Sequence, residues 1–184
     1  MKVVVGLGNP SPEYAATRHN VGFRVVEMFA AIHRVPLKTM QKQVRVGQVS
    51  GELWVAEPLT WMNHSGQAVR WLLEETGSGV ESLIVVHDDL DLPVGRLRFK
   101  RRGGHGGHNG VRSIVETMGT GEFLRLKLGV GRPPAGKDPV EYVLEPFSRY
   151  ETADIDAAVG TACEALDVAL AEGVTAAMNR FHAA

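Results

Sequence analysis

His19 stands in a stretch, residues 6–22, that also carries Asn9, Tyr14 and Asn20, with glycines at 6, 8 and 22 and prolines at 10 and 12. In such a polar loop a histidine can act as a general base. It then needs a carboxylate to fix its tautomer and stabilise the imidazolium form. Asp88, directly after the apolar run Leu83-Ile84-Val85-Val86, is the best-placed partner, with Asp89 and Asp91 as rivals. Asn9 would help to place what His19 acts on. The competing reading is structural: a histidine bonded only to its own loop, and aspartates that cap a helix or face water.

The nucleophile of such a site is constrained by what is missing. No Gly-x-Ser-x-Gly elbow occurs, and Cys163 falls inside an apolar helical stripe where it reads as a small core residue. If the chain hydrolyses anything, water is the nucleophile. A glycine-rich run, Gly103-Gly104-His105-Gly106-Gly107-His108-Asn109-Gly110, lets a ligand approach the main chain closely. Asn109 there either caps the helix that follows or turns its amide toward a substrate carbonyl or a water. His105 and His108 form an H-x-x-H pair, a weak zinc signal without a third ligand or a helix to orient it. Gly6-x-Gly8 fails as a dinucleotide fingerprint, because Ser11 replaces the third glycine and the prolines block the helix that should begin there.

Cations form the last constellation. Arg96, Arg98, Lys100, Arg101 and Arg102 run into the glycine-rich stretch, and Arg125, Lys127, Arg132 and Lys137 follow it. They are either a solvated strand face or a phosphate-binding surface. Trp61 and Tyr14 would add stacking or apolar contacts to a nucleotide or peptide.

The elements that must position these groups follow from patterning. Lys2 to Val5 reads as a buried strand and Val21 to Ile32 as a helix, so the His19 stretch is an overlong strand-to-helix connection. Val44 to Val49 and Leu53 to Ala56 suggest a hairpin, the only two β segments expected between the first helix and residue 60. A helix is expected near Gln67 to Glu75, a strand over Leu83 to Val86, and alternating strands over Arg96 to Lys100 and Leu124 to Val130. Helices are expected through Val111 to Met118, Ile155 to Leu170 and Ala176 to Phe181. Strands alternating with helices predict one α/β domain over residues 1–184, with a mixed, largely parallel central sheet flanked by helices on both faces. Ligands of such sheets bind beyond the carboxyl ends of the strands, where His19 and Asp88 are expected.

Composition sets the outer bounds. A chain of 184 residues, 44% hydrophobic and 22% charged, suits one soluble domain with a real core. No apolar run approaches the roughly 20 residues of a membrane helix, and the N-terminus does not read as a signal peptide. One cysteine points to a reducing cytosol. A net charge of −1 means that any nucleic-acid binding rests on a local basic face.

Four segments together resemble the bacterial-type peptidyl-tRNA hydrolase family, in family order and across more than half the chain. They are Gly6-Leu7-Gly8-Asn9-Pro10 with Tyr14-x-x-Thr17-Arg18-His19-Asn20-x-Gly22; Pro58-x-Thr60-x-Met62-Asn63-x-Ser65-Gly66; His87-Asp88-Asp89-Leu90-Asp91-Leu92-Pro93-x-Gly95; and Gly103 to Gly110. The resemblance implies a monomeric cytoplasmic enzyme, without metal or cofactor, that hydrolyses the ester joining a peptide to the 3′ end of its tRNA. By resemblance His19 activates water, Asp88 supports it, and Asn9 helps tell a blocked peptidyl-tRNA from a free aminoacyl-tRNA. Asn63 and Asn109 match positions that hold the substrate end, Tyr14 and Trp61 match positions lining its site, and Lys100 and Lys127 resemble basic residues that contact tRNA phosphates. Trp61 replaces an expected Phe or Tyr, and Arg101-Arg102 adds charge where the family often has less. Two other readings stay open: an RNA-binding protein without catalysis, and a metal-dependent hydrolase using His105, His108 and an aspartate.

Overall fold

In the computed structural model, which describes residues 1–182, the β-branched runs form the middle of a seven-stranded sheet. Its strands are β1 (Lys2–Gly6), β2 (Lys38–Met40), β3 (Val44–Ser50), β4 (Leu53–Pro58), β5 (Leu83–Asp89), β6 (Leu97–Lys100) and β7 (Leu124–Gly129). They lie in the order β2-β3-β4-β1-β5-β7-β6. The four in the middle, β4, β1, β5 and β7, are parallel. β2, β3 and β6 extend the sheet by antiparallel pairing at its two sides. Strands buried on both faces need apolar side chains throughout, which is why Val3, Val4 and Val5 are all inaccessible.

Helices cover both faces. α1 (Val21–Ile32), α5 (Thr152–Ala171) and α6 (Val174–Phe181) pack on one, where Val25, Phe29, Ile155 and Leu166 meet Val4, Val86 and Leu126. α2 (Ser65–Glu75) and α3 (Asn109–Met118) pack on the other, where Val69, Leu72, Val111 and Ile114 meet Val3, Val5 and Val85. Each fully buried Val, Leu or Phe contributes roughly 1.5–3 kcal/mol. A short helix, α4 (Pro139–Val143), is capped by the Asp138 side chain on the Val140 N–H.

From β1 the chain first reaches β4 on one side and only then returns to β5 on the other. The order of strands thus reverses at β1, and the loops after β1 and β4 separate there to leave a crevice.

Three expectations are corrected. Residues 38–40 form a strand at the sheet's edge, which fully exposed Lys-Thr-Met could not signal by periodicity. β5 does not stop at Val86: His87, Asp88 and Asp89 stay in register with Lys127, Leu128 and Gly129 of β7. Residues 139–143, to which no element was assigned, form α4.

Candidate active site

β1 ends at Gly6 opposite Val86, while β5 runs on to Asp89 with only β7 beside it. The position β1 vacates is filled by its own loop. A Cβ on Gly6 would lie 2.1 Å from the Gly22 carbonyl oxygen, and one on Gly22 would lie 2.4 Å from that of Val86. Only glycine at both positions lets the two ends of the loop close together. The closure buries Thr17, Arg18, His19 and Asn20 over the end of β5. Asn20 then staples the loop, accepting from the Asn9 N–H and donating to the Asn9 carbonyl, both at 2.9 Å.

His19 Nδ1 lies 3.0 Å from both oxygens of Asp88. Asp89 and Asp91, the rival partners, are engaged elsewhere: Asp89 with Lys127, and Asp91 with Arg132. Asp88 also receives a second imidazole, Nε2 of His108 at 2.8 Å. Burial opposes its charge, but the two histidines hold its carboxyl well below the usual carboxylate range. An ionised carboxylate only accepts, so both facing ring nitrogens carry hydrogen. His19 Nε2 is therefore the basic nitrogen of the neutral ring, and His19 lines the pocket described below. Desolvation pulls the His19 pKa down, but the charge and hydrogen bond of Asp88 outweigh it and leave the pKa raised. A third histidine, His87, donates Nδ1–H to the Asp88 carbonyl at 2.7 Å and packs edge-on against His108. Burial and the neighbouring His108 push its pKa down to about 3, so it stays neutral and does not compete for Asp88.

The tautomer of His108 answers two questions left by the sequence. Its Nδ1 accepts from the Gly110 and Val111 N–H groups at 3.1 and 3.3 Å, so His108 caps α3 and Asn109 does not. The Asn109 side chain has no partner among the described residues and lines the pocket. Among the described residues, His19, Asp88 and His108 bring donor atoms within 4.8 Å of one another, a grouping that resembles a metal site. A metal on His108 Nε2 would ordinarily leave Nδ1 protonated against two N–H donors. The cap and a metal are incompatible, and His105, the other half of the H-x-x-H pair, turns its Nδ1 to the Gly107 N–H.

The pocket, of about 560 Å³, lies where the sheet order reverses. Asn9 is oriented in it without ambiguity. Its Oδ1 accepts from the Met62 N–H at 2.9 Å, which turns Nδ2 away from Met62 as a donor group. Asn63 and Trp61 enter the wall from the loop after β4, and Trp61 meets the Tyr14 ring edge-on with centroids 6.1 Å apart. Tyr14 itself supports Trp61 and is not part of the lining. Val140 and Leu144 form the facing apolar wall. Among the described residues no serine, threonine or cysteine lines the pocket.

Cations approach from β6 and β7. Cross-strand register places Arg98 opposite Lys127 and Lys100 opposite Arg125 on one face. Lys127 lines the pocket and pairs with Asp89 at 2.5 Å. Burial and the charges of Lys127 and Arg125 lower the Lys100 pKa. Arg125 departs from the expected solvent-facing row. It is buried on Phe123, and its guanidinium holds the carbonyls of Gly103, Gly104 and Gly121, fixing the start of the glycine-rich run.

Two contributions had little sequence signal. Arg18 ties the base loop to the segment around α4, and His108 serves at once as helix cap and Asp88 partner. A histidine immediately before a helix was the one local clue to the second.

The chain is similar to known proteins along nearly its whole length. A family model described as Peptidyl-tRNA hydrolase matches residues 3–184. The peptidyl-tRNA hydrolase of Syntrophotalea carbinolica is 48% identical over 185 residues, covering 99% of this chain and 97% of that protein. That of Anaeromyxobacter sp. is 45% identical over 183 residues, covering 98% and 95%. The crystal structure of peptidyl-tRNA hydrolase from Acinetobacter baumannii has a TM-score of 0.93 at 36% identity, covering 100% of this chain and 95% of that one. With the family model spanning nearly the whole chain and relatives this similar over their full length, the chain belongs to the peptidyl-tRNA hydrolase family.

Proposed function

We propose that this protein hydrolyses the ester between a peptide and the 3′ end of its tRNA, with His19 as general base on water. The observation that carries the reading is the His19–Asp88 pair at 3.0 Å beside a pocket whose wall holds no hydroxyl or thiol nucleophile among the described residues. His19 Nε2 takes a proton from water as the water oxygen bonds to the ester carbonyl carbon. Asp88 stabilises the imidazolium so formed. The tetrahedral intermediate collapses by breaking the bond to the ribose oxygen, which leaves with the proton held on Nε2. An ester is activated relative to an amide, so a water–base pair with well-placed amide donors suffices. Asn9 Nδ2 binds the substrate's acyl end and distinguishes a blocked from a free amino group, while Asn63 and Asn109 hold the same end through their side-chain amides. Trp61, steadied by Tyr14, covers the peptide or the terminal base.

Lys100 and Lys127 bind tRNA phosphates. Like charges directly opposite across a strand pair cost stability in the free protein, and a bound anion relieves that cost. The enzyme acts as a cytoplasmic monomer without metal or cofactor. One chain supplies every side chain the mechanism uses, its one cysteine is buried in the core, and no helix among the described residues is long and apolar enough to cross a membrane.

The test is peptide release, in a chelator and without added cofactor, from N-blocked compared with unblocked aminoacyl-tRNA. Only the blocked substrate should turn over, and His19→Ala should lower kcat by about 10²–10⁴-fold while tRNA binding and fold persist. Near-normal release by that variant removes His19 as the base. A wild-type protein that binds tRNA and never releases peptide returns the non-catalytic RNA-binding reading.

A further inference from the structure

We propose that Arg18 is a positioning residue that locks the His19 base to the α4 wall of the pocket, with Glu151 as its fixed counter-charge; this rests on the function proposed above. Arg18 precedes His19 in one tight turn, Arg18–Asn20, so displacement of its backbone is displacement of the base. That backbone is already bonded to the far segment: the Arg18 N–H donates to the Glu145 carbonyl at 3.0 Å, and Thr17 pairs with Pro146 as an isolated β-bridge.

The guanidinium extends the attachment. Its Nη1 donates to the carbonyls of Tyr142, Glu145 and Pro146 at 3.3, 3.4 and 3.0 Å, and its Nη2 donates to Glu151 Oε2 at 2.9 Å. It also lies on the Tyr142 ring, 4.0 Å from the centroid, with its side chain only 7% exposed. The carbonyls it holds lie at and just beyond the C-terminal end of α4, where a cation is also favoured by the helix dipole. α4 is the element that turns Val140 and Val143 into the pocket. Tyr142 pins its other side, donating Oη–H to the Val130 carbonyl beyond β7 at 2.9 Å. Glu151 is held for its task as well. Burial opposes its charge, but the Ser148 N–H and Arg18 keep its carboxyl below the usual range. Base and apolar wall are thus two ends of one bonded unit, and contact of a substrate with the wall bears on the placement of His19.

Lysine keeps the charge but presents one compact ammonium, which cannot span three carbonyls and a carboxylate in a plane. Arg18→Lys should therefore lower kcat about tenfold or more. In NMR titration of the substrate-free protein it should move the His19 pKa down toward the ordinary histidine value, as contact with Asp88 loosens. In a double-mutant cycle, Arg18→Lys and Val140→Ala should be non-additive in kcat/KM, because the second residue acts through the first. A folded Arg18→Lys protein with an unmoved His19 titration and additive effects overturns the proposal. Should that variant fail to fold, Glu151→Gln keeps every guanidinium–carbonyl contact and removes only the counter-charge. It should shift the same His19 titration in the same direction by less, and no shift there also overturns the proposal. The titration requires no substrate, so its failure is separable from absence of peptide release by the wild-type protein.

Discussion

Asp88 carries more of the chemistry than its single charge suggests, because two imidazoles converge on it from different loops while a third stays neutral behind them. Its charge and hydrogen bond raise the His19 pKa against the pull of burial. The base is active only when unprotonated, so the acid limb of kcat/KM should lie above the ordinary histidine value and activity should fall as pH drops through it. Asp88→Asn removes the raising interaction and leaves desolvation in place. The limb should then move to lower pH, below the ordinary value, while kcat falls about a thousand-fold because the tautomer is no longer enforced. A pH–rate profile of the variant checks both. An unmoved limb would mean that Asp88 does not set the His19 titration.

At the scale of elements, the site depends on where strands and loops end. β5 outruns β1 by three residues, and the glycine pair at 6 and 22 lets the His19 loop fill the gap. The edge hairpin is less well adapted to its own geometry. Gln41 and Lys42 sit at φ 50° and 56°, in a turn closed by the Gln43 N–H on the Met40 carbonyl. Two successive left-handed residues form a turn that favours Asn-Gly. Gln41→Asn with Lys42→Gly should stabilise the protein by about 1 kcal/mol in urea unfolding and leave turnover unchanged.

For the whole molecule, charge placement has two consequences far apart in the sheet. A net charge of −1 conceals the basic face of β6 and β7. Lys100→Ala with Lys127→Ala should raise KM and flatten its dependence on salt, with less effect on kcat. An unchanged salt slope would count against phosphate contacts there. On β4, Glu57 is fully buried; desolvation and nearby Glu27 push its pKa up to about 8, against the pull of Arg45 at 2.8 Å. Between the ordinary carboxylate pKa and about 8 the unfolded chain is ionised at this position while the folded one holds its proton. The folded state binds more protons in that window, so this group makes stability fall as pH rises through it. Glu57→Gln cannot titrate. Its Tm should decline less than the wild type's between pH 5 and pH 9, by about 4 °C or more, in thermal unfolding at matched ionic strength.

Local pattern alone was enough for the alternation of strands and helices, the extent of α1, and the naming of His19 and the aspartates after β5 as candidates for one site. These are properties of neighbours in the chain: β-branched runs, helical spacing, a glycine-flanked polar loop. The exposed three-residue β2 and the five-residue α4 escaped because periodicity needs more residues than they contain. Arg125 reads in sequence like its neighbour Lys127, yet one is buried on backbone carbonyls and the other faces the pocket; what lies above each strand position is set by a distant loop. Arg18 and α4 are more than 120 residues apart, as are the guanidinium and the carbonyls it binds. Only the tertiary structure could choose Asp88 over Asp89 and Asp91, make His108 rather than Asn109 the cap, and turn the Asn9 amide with its nitrogen outward. Each of those choices is made by a hydrogen bond between segments that meet only when the sheet has closed.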